Sequence, residues 1–356
     1  MSDNATVADR IEACIQGLCA GDGMSWPAWW HRTALLPPRR SVRLAEASQH
    51  ARDSLTTSIP TPYLQSSPPS SVDPAGPTDD AEWFVVAVRH HLGQLVDGSA
   101  ADGDNGVWAE LAGLRANDPG SVRGRIGTLI ALTNLDQGLQ PPASGNDNPH
   151  YFDDIACVRG VAGGLLRPGV PAQAAAMAAN DAAVTHADDG VLGGRASAAL
   201  VAELVSGAGI EAATKAARAE LPAGSWCAHV VAECLQAVEP GMAPLDLAAR
   251  LERTVVDHVY AFANQAPETL GLLLAHLAAA TDRSTMLLGA LAHPRHADAL
   301  VPLAGAVAGL VWGSAVERQP LPELLGTCVR GLHGLPMREV VDTIVASQEK
   351  TLEGGR

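Results

Sequence analysis

Ala297-Asp298-Ala299-Leu300-Val301-Pro302-Leu303-Ala304-Gly305-Ala306-Val307-Ala308-Gly309-Leu310-Val311-Trp312-Gly313-Ser314 reads as one apolar helix with Gly305, Gly309 and Gly313 at i, i+4 and i+8 on a single face. A glycine inside a helix costs about 1 kcal/mol relative to alanine. Close approach of a second helix is the gain that offsets the bare face, so the stretch predicts tight helix-on-helix packing in the middle of the protein. Composition agrees: aromatics make up only 4% of the 356 residues while Ala and Gly dominate, which suits closely packed helices better than a sheet built on Val, Ile, Tyr and Phe.

Helical periodicity recurs along the chain. Ile11, Cys14, Ile15 and Leu18 share one face of a first helix over 8–20, expected to stop at Gly21-Asp22-Gly23, and Phe84, Ala87, Val88, His91 and Leu92 share a face after Thr78-Asp79-Asp80. Further helices are expected at 107–116, 122–135, 153–166, 171–184, 191–205, 209–221, 225–238, 244–251, 267–280, 284–292, 320–332 and 336–348, with strand signals nearly absent. The expected architecture is therefore all-α, a single compact multi-helix domain over 1–356. Residues 36–77 interrupt it: Pro37-Pro38, Pro60, Pro62, Pro68-Pro69, Pro74 and Pro77 among many serines predict a long, poorly ordered loop.

The formal net charge of −15 excludes a surface that neutralises nucleic-acid phosphates or an anionic membrane. No run is of membrane-spanning type, and Leu300 to Val311 is too short. The six cysteines form no CxxC pair and the start MSDNATVADR has neither a basic nor an apolar leader region, which predicts a cytoplasmic protein with reduced thiols.

Three polar islands break the apolar pattern: Gly21-Asp22, Thr78-Asp79-Asp80 and His293 to Asp298. Adjacent carboxylates repel unless solvated or neutralised, so Asp79-Asp80 beside the Thr78 hydroxyl is an all-oxygen set suited to Mg²⁺ or Mn²⁺. The plainer alternative is a capped helix start, with Thr78 or Asp79 as N-cap and Glu82 in the first turn.

The order of the islands adds to this. Gly17-Leu18-Cys19-Ala20-Gly21-Asp22, then Thr78-Asp79-Asp80-Ala81-Glu82-Trp83, then Ala304-Gly305-Ala306-Val307-Ala308-Gly309-Leu310-Val311-Trp312-Gly313, over about residues 8 to 315, resembles the ADP-ribosylglycohydrolase family. Phe152 to Arg159 and Thr185-His186 look like that family's central substrate-side segment. The resemblance implies a metal-dependent glycohydrolase that cleaves the N- or O-glycosidic bond of an ADP-ribosyl, or smaller ribosyl, substrate, carried on a protein or a small molecule. It implies metal ligands at Thr78, Asp79, Asp80 and Asp298, with substrate contacts at Asp22, Arg159 and His186. The family's D-x-D-T ligand motif here reads His296-Ala297-Asp298-Ala299, which keeps one carboxylate and offers His296 as a softer donor. One Mg²⁺ or Mn²⁺ ion is expected, and a second ion weakly or not at all. Where the family commonly carries a glutamate two residues after Pro27, this chain has Trp29, which can stack on a base or sugar but cannot shuttle a proton. The proton-handling role, with Asp79 and Asp80 at the reacting centre, then falls to Asp153 and Asp154, unless these only start the next helix. The alternative function is a catalytically inactive protein of the same fold that binds ADP-ribose or a nucleoside.

Overall fold

Gly17 and Gly305 meet backbone to backbone: a Cβ on Gly17 would lie 2.0 Å from the carbonyl oxygen of Gly305, and one on Gly305 would lie 2.0 Å from that of Gly17. The same line of contact sets Gly309 against the Ala13 carbonyl at 2.1 Å and Gly21 against the Val301 carbonyl at 2.4 Å. The pairs 13/309, 17/305 and 21/301 run in opposite directions along the chain, so the two helices are antiparallel in a fixed register. No residue larger than glycine fits at positions 17, 21, 305 and 309 without separating the helices.

The computed structural model describes residues 5–32, 77–101, 106–257, 264–293, 295–313 and 320–354. Fifteen α-helices lie among the described residues. They are α1 (Val7–Arg32), α2 (Asp79–His91), α3 (Gly106–Asn117), α4 (Ile126–Asp136), α5 (Ala143–Asn146), α6 (Ile155–Leu166), α7 (Pro171–Ala182) and α8 (Asp188–Ser206). After them come α9 (Ile210–Ala219), α10 (Trp226–Gln236), α11 (Pro244–Thr254), α12 (Ala266–Ala279), α13 (Arg283–Leu291), α14 (Ala297–Trp312) and α15 (Met337–Gly354). The only β-type pairings among the described residues are isolated antiparallel bridges, including Asp153 with Gln265 and Val122 with Val329. The fold is all-α.

Helices α1, α2, α6, α8, α12 and α14 supply most of one continuous apolar core, which includes Ile15, Leu18, Phe84, Val161, Leu200, Leu273 and Leu303. Helix α2 is buried on nearly every side, from Asp79 to Arg89, so its polar first turn is carried into the interior with it. All six cysteines are free and buried. No helix among the described residues is long and apolar enough to cross a membrane.

Three local expectations are corrected. Helix α1 does not stop at Gly21-Asp22-Gly23 but continues to Arg32, because Gly21 is held in helical conformation by its seat on α14. The helix expected over 122–135 begins at Ile126, since Val122 and its neighbours pair with 328–330 instead. Where a helix was expected over 320–332, only a 3-10 turn at Arg330–Leu332 is present among the described residues. The N–H groups of Thr327, Cys328 and Val329 go to the buried Glu82 carboxylate at 2.6, 2.7 and 2.6 Å, so they are withdrawn from any helical ladder. The Pro- and Ser-rich segment 36–77 lies, except for its last residue, outside the described residues.

Adding one methyl at the closest crossing tests the packing. Gly305→Ala is expected to lower the unfolding free energy by about 1–3 kcal/mol or more, the usual cost of overfilling a core. Gly113→Ala, on α3, where a Cβ meets nothing within 4 Å, should instead raise it by roughly 0.5–1 kcal/mol. Chemical denaturation of the two variants beside the parent reads both values.

Candidate metal centre

The α1/α14 register sets Asp22, one residue past the Gly21 crossing, at the same end of the helix pair as Asp298. Asp22 then builds the start of α2. Its Oδ2 accepts the backbone N–H groups of Thr78 at 2.7 Å and Ala81 at 2.9 Å, while its Oδ1 accepts the Thr78 hydroxyl at 2.5 Å. Two of the donors at this helix N-terminus are thus satisfied from another helix. Thr78 is the N-cap by position but makes no side-chain cap bond, and Glu82 closes no capping box because it is bound to 327–329. Because the Thr78 hydroxyl gives its proton to Asp22, its oxygen lone pairs remain for another partner.

Asp22, Asp79 and Asp80 each offer a carboxylate oxygen within 4.8 Å of the others, all buried. Asp298, at the start of α14, faces the same group: the Arg125 guanidinium nitrogen Nη2 reaches Asp298 Oδ2 at 3.0 Å and Asp80 Oδ1 at 3.3 Å. The other nitrogen, Nη1, bonds Asp153 Oδ1 at 3.1 Å and Asp154 Oδ1. Asp153 and Asp154 are placed there by a short pairing of the chain before α6 with the start of α12, in which Asp154 N–H donates to the Asn264 carbonyl and Ala266 N–H to that of Phe152. Asp153 also accepts from Ile155 N–H and the Asn264 amide, and Asp154 from the Thr269 hydroxyl at 2.7 Å.

Four buried carboxylates, those of Asp80, Asp153, Asp154 and Asp298, therefore surround one guanidinium, and Asp22 and Asp79 lie beside Asp80. Burial pushes the Asp22 carboxyl up to about 7 although its three hydrogen bonds pull the other way. Burial, with neighbouring carboxylates, also holds Asp79 and Asp80 well above the ordinary range, and burial puts Asp153 at about 6. For Arg125 burial alone would lower the pKa, but Asp154, Asp153, Asp298 and Asp80 carry it above the usual arginine value, so its charge is fixed. Asp80 Oδ2 is buried and has no hydrogen-bond partner. An all-oxygen set with excess negative charge and an orphaned carboxylate oxygen fits a hard divalent cation.

The other sequence-predicted residues fall as follows. His296 is fully buried and its Nε2 lies 2.6 Å from Glu268 Oε2 on α12. Arg159 is also buried, paired with Asp181 at 2.9 Å, bonded to the Thr185 hydroxyl at 2.8 Å and stacked 4.7 Å over the Trp108 ring. These partners hold Arg159 within the α6/α7 region. His186 shares a 2.7 Å bond with the Thr185 hydroxyl, and burial, with Arg159 and Arg125 nearby, keeps its ring neutral. The side chain of Trp29 lies outside the described residues. Sequence reasoning missed Arg125, which stands alone before α4 in Arg123-Gly124-Arg125 with no pattern around it. An excess of interior carboxylates is the one signal that calls for such a cation.

The ADP-ribosylglycohydrolase family model matches residues 3–351, and the chain belongs to that family. The solved structure of an ADP-ribosylglycohydrolase-related protein complex is similar in fold, with a TM-score of 0.56 and 17% identity over 96% of this chain and 97% of that one. No curated protein matches the chain. The family is generally hydrolytic and typically depends on divalent metal.

Carboxyls whose folded pKa is raised favour the folded state at low pH and lose that contribution as pH rises through the folded value. In chelator, the melting temperature is therefore expected to fall as pH rises from the ordinary carboxylate value near 3.8 through about 7, where Asp153 and Asp22 lose their protons. Mn²⁺ should restore stability increasingly toward the upper end of that range. Scanning calorimetry across the range, with and without metal, checks both trends.

Proposed function

We propose that the protein is a divalent-metal-dependent glycohydrolase that releases an ADP-ribosyl, or related ribosyl, group from an N- or O-linked carrier. The observation that carries this reading is the convergence of Thr78, Asp79, Asp80 and Asp298 from distant parts of the chain into one buried carboxylate group. Thr78, Asp79, Asp80 and Asp298 would hold the ion. When bound, the ion supplies Lewis-acid polarisation and a fixed point for orienting ribose hydroxyls and a water. The protein's own carboxylates stabilise the positive charge that develops at an anomeric carbon as the glycosidic bond breaks. Asp22 acts one step back: by accepting the hydrogen bond of the Thr78 hydroxyl it fixes the hydroxyl rotamer and leaves the oxygen lone pairs for the ion.

Asp153, at about 6, has a proton affinity suited to acid–base work near neutral pH. Its Oδ1 is held by Arg125 and Ile155 N–H and its Oδ2 by Asn264, while Asp154 is held by Arg125 and Thr269. That engagement favours a second reading, a protein that binds ADP-ribose without turning it over. ADP-ribosyl-arginine and an O-linked ADP-ribosyl ester, each incubated with Mg²⁺ or Mn²⁺ and with chelator, separate the two. Metal-dependent release of ADP-ribose is expected, whereas saturable ADP-ribose binding with no release would assign the second reading. Asp80→Asn should abolish Mn²⁺ binding and release while leaving the circular-dichroism spectrum in chelator unchanged.

A further inference from the structure

We propose that Arg125 is a built-in cation of the acidic centre, taking the place of a second metal ion, so that the centre admits a single divalent ion. The inference rests on the metal-dependent reading given above and adds to it a residue that sets the ion count.

The Arg125 side chain is 5% exposed and is held by carboxylates from three separate parts of the chain: Asp80 on α2, Asp153 and Asp154 before α6, and Asp298 on α14. Each of its two terminal nitrogens bridges a pair of aspartates, Asp153 with Asp154 and Asp80 with Asp298. Drawing four anionic oxygens from distant segments to one point is the work a hard divalent ion does with carboxylates, and here a planar, permanently charged group performs it. A divalent ion among the same oxygens would need them at about 2.0–2.6 Å, space the guanidinium fills, and would meet its positive charge.

The centre therefore divides into two cation places that share Asp80 and Asp298, whose charge also acts on Asp79 and Asp22. On one side Asp80 Oδ1 faces Arg125. On the other, Asp80 groups with Asp22 and Asp79, toward which Arg125 makes no hydrogen bond, and Asp80 Oδ2 has no partner. The altered motif offers fewer oxygen donors as well. Ala299 offers no oxygen donor from its side chain, and the Nε2 of His296 is turned to Glu268.

Mn²⁺ binding to the full-length chain, read as stoichiometry by calorimetry and by the free-Mn²⁺ electron paramagnetic signal, tests this. The parent is expected to bind one ion, Arg125→Gln two, and Arg125→Lys one, since lysine retains the charge. Two ions in the parent, or an unchanged count of one in folded Arg125→Gln, would overturn the proposal. Should Arg125→Gln fail to fold even with Mn²⁺, the count in Arg125→Lys decides, and two ions there overturn it. The underlying functional reading fails separately. A parent that binds no Mn²⁺ while Arg125→Gln binds one would remove the metal-dependent reading and leave Arg125 as the centre's cation. A parent that binds one ion and hydrolyses nothing would remove hydrolysis alone.

Discussion

Direct backbone contact between α1 and α14 is the constraint on which the remaining geometry hangs. Gly17, Gly21, Gly305 and Gly309 remove the side chain from at least one partner at each crossing, so the relative shift of the two helices is set by contacts to main-chain atoms and cannot drift as it could between flexible side chains. That register fixes Asp22 and Asp298 at one end of the pair. Asp22 in turn caps α2, which orients Thr78, Asp79 and Asp80. The acidic turn is buried because α2 is core on nearly all sides, and its charge is answered by Arg125 from the far side. Each step transmits position to the next through bonds of 2.5–3.3 Å.

The polar framework outside the centre follows the same logic. Glu82, three residues into α2, accepts three backbone N–H groups and the Thr327 hydroxyl and so fastens the segment before α15 to the helix that carries the aspartates. On α12, Glu268 binds His296 and accepts the Asp257 N–H, while the Thr269 hydroxyl beside it donates to Asp154. The start of α2 is thus braced by Asp22 of α1, and the residue before α14 by Glu268 of α12. Such groups are costly to bury without partners, and the partners found here are mostly backbone amides, whose positions the helices already fix.

Much of this was legible in the sequence because it is local. Helical faces repeat every three to four residues, the glycine row at 305 and 309 announces a close neighbour, and Thr78-Asp79-Asp80 stands out against apolar surroundings. The parts that were not legible depend on partners far along the chain. Gly21-Asp22-Gly23 has the composition of a helix stop, and only the α14 surface makes it helical. Residues 320–332 have helical periodicity, and only Glu82, more than two hundred positions earlier, draws their amides away. Arg125 has no local signature because an arginine before a helix is ordinarily a surface residue. Its role exists only once four aspartates have been gathered around it.

The split origin of the centre also dictates when in the life of the chain it can exist. Its parts come from residues 22, 78–80, 125, 153–154 and 298, with the first and last brought together by the outermost glycine crossings. Synthesis runs from the N-terminus, so a nascent chain carries exposed acidic and apolar helices for most of its length before α14 leaves the ribosome and α1 finds its partner. The pairing of α1 with α14 closes a loop of nearly the entire protein, a contact of high sequence separation that forms late and slowly. Until it forms, Asp22 and Asp298 have no shared geometry, and the half-built chain holds scattered carboxylates in place of a centre.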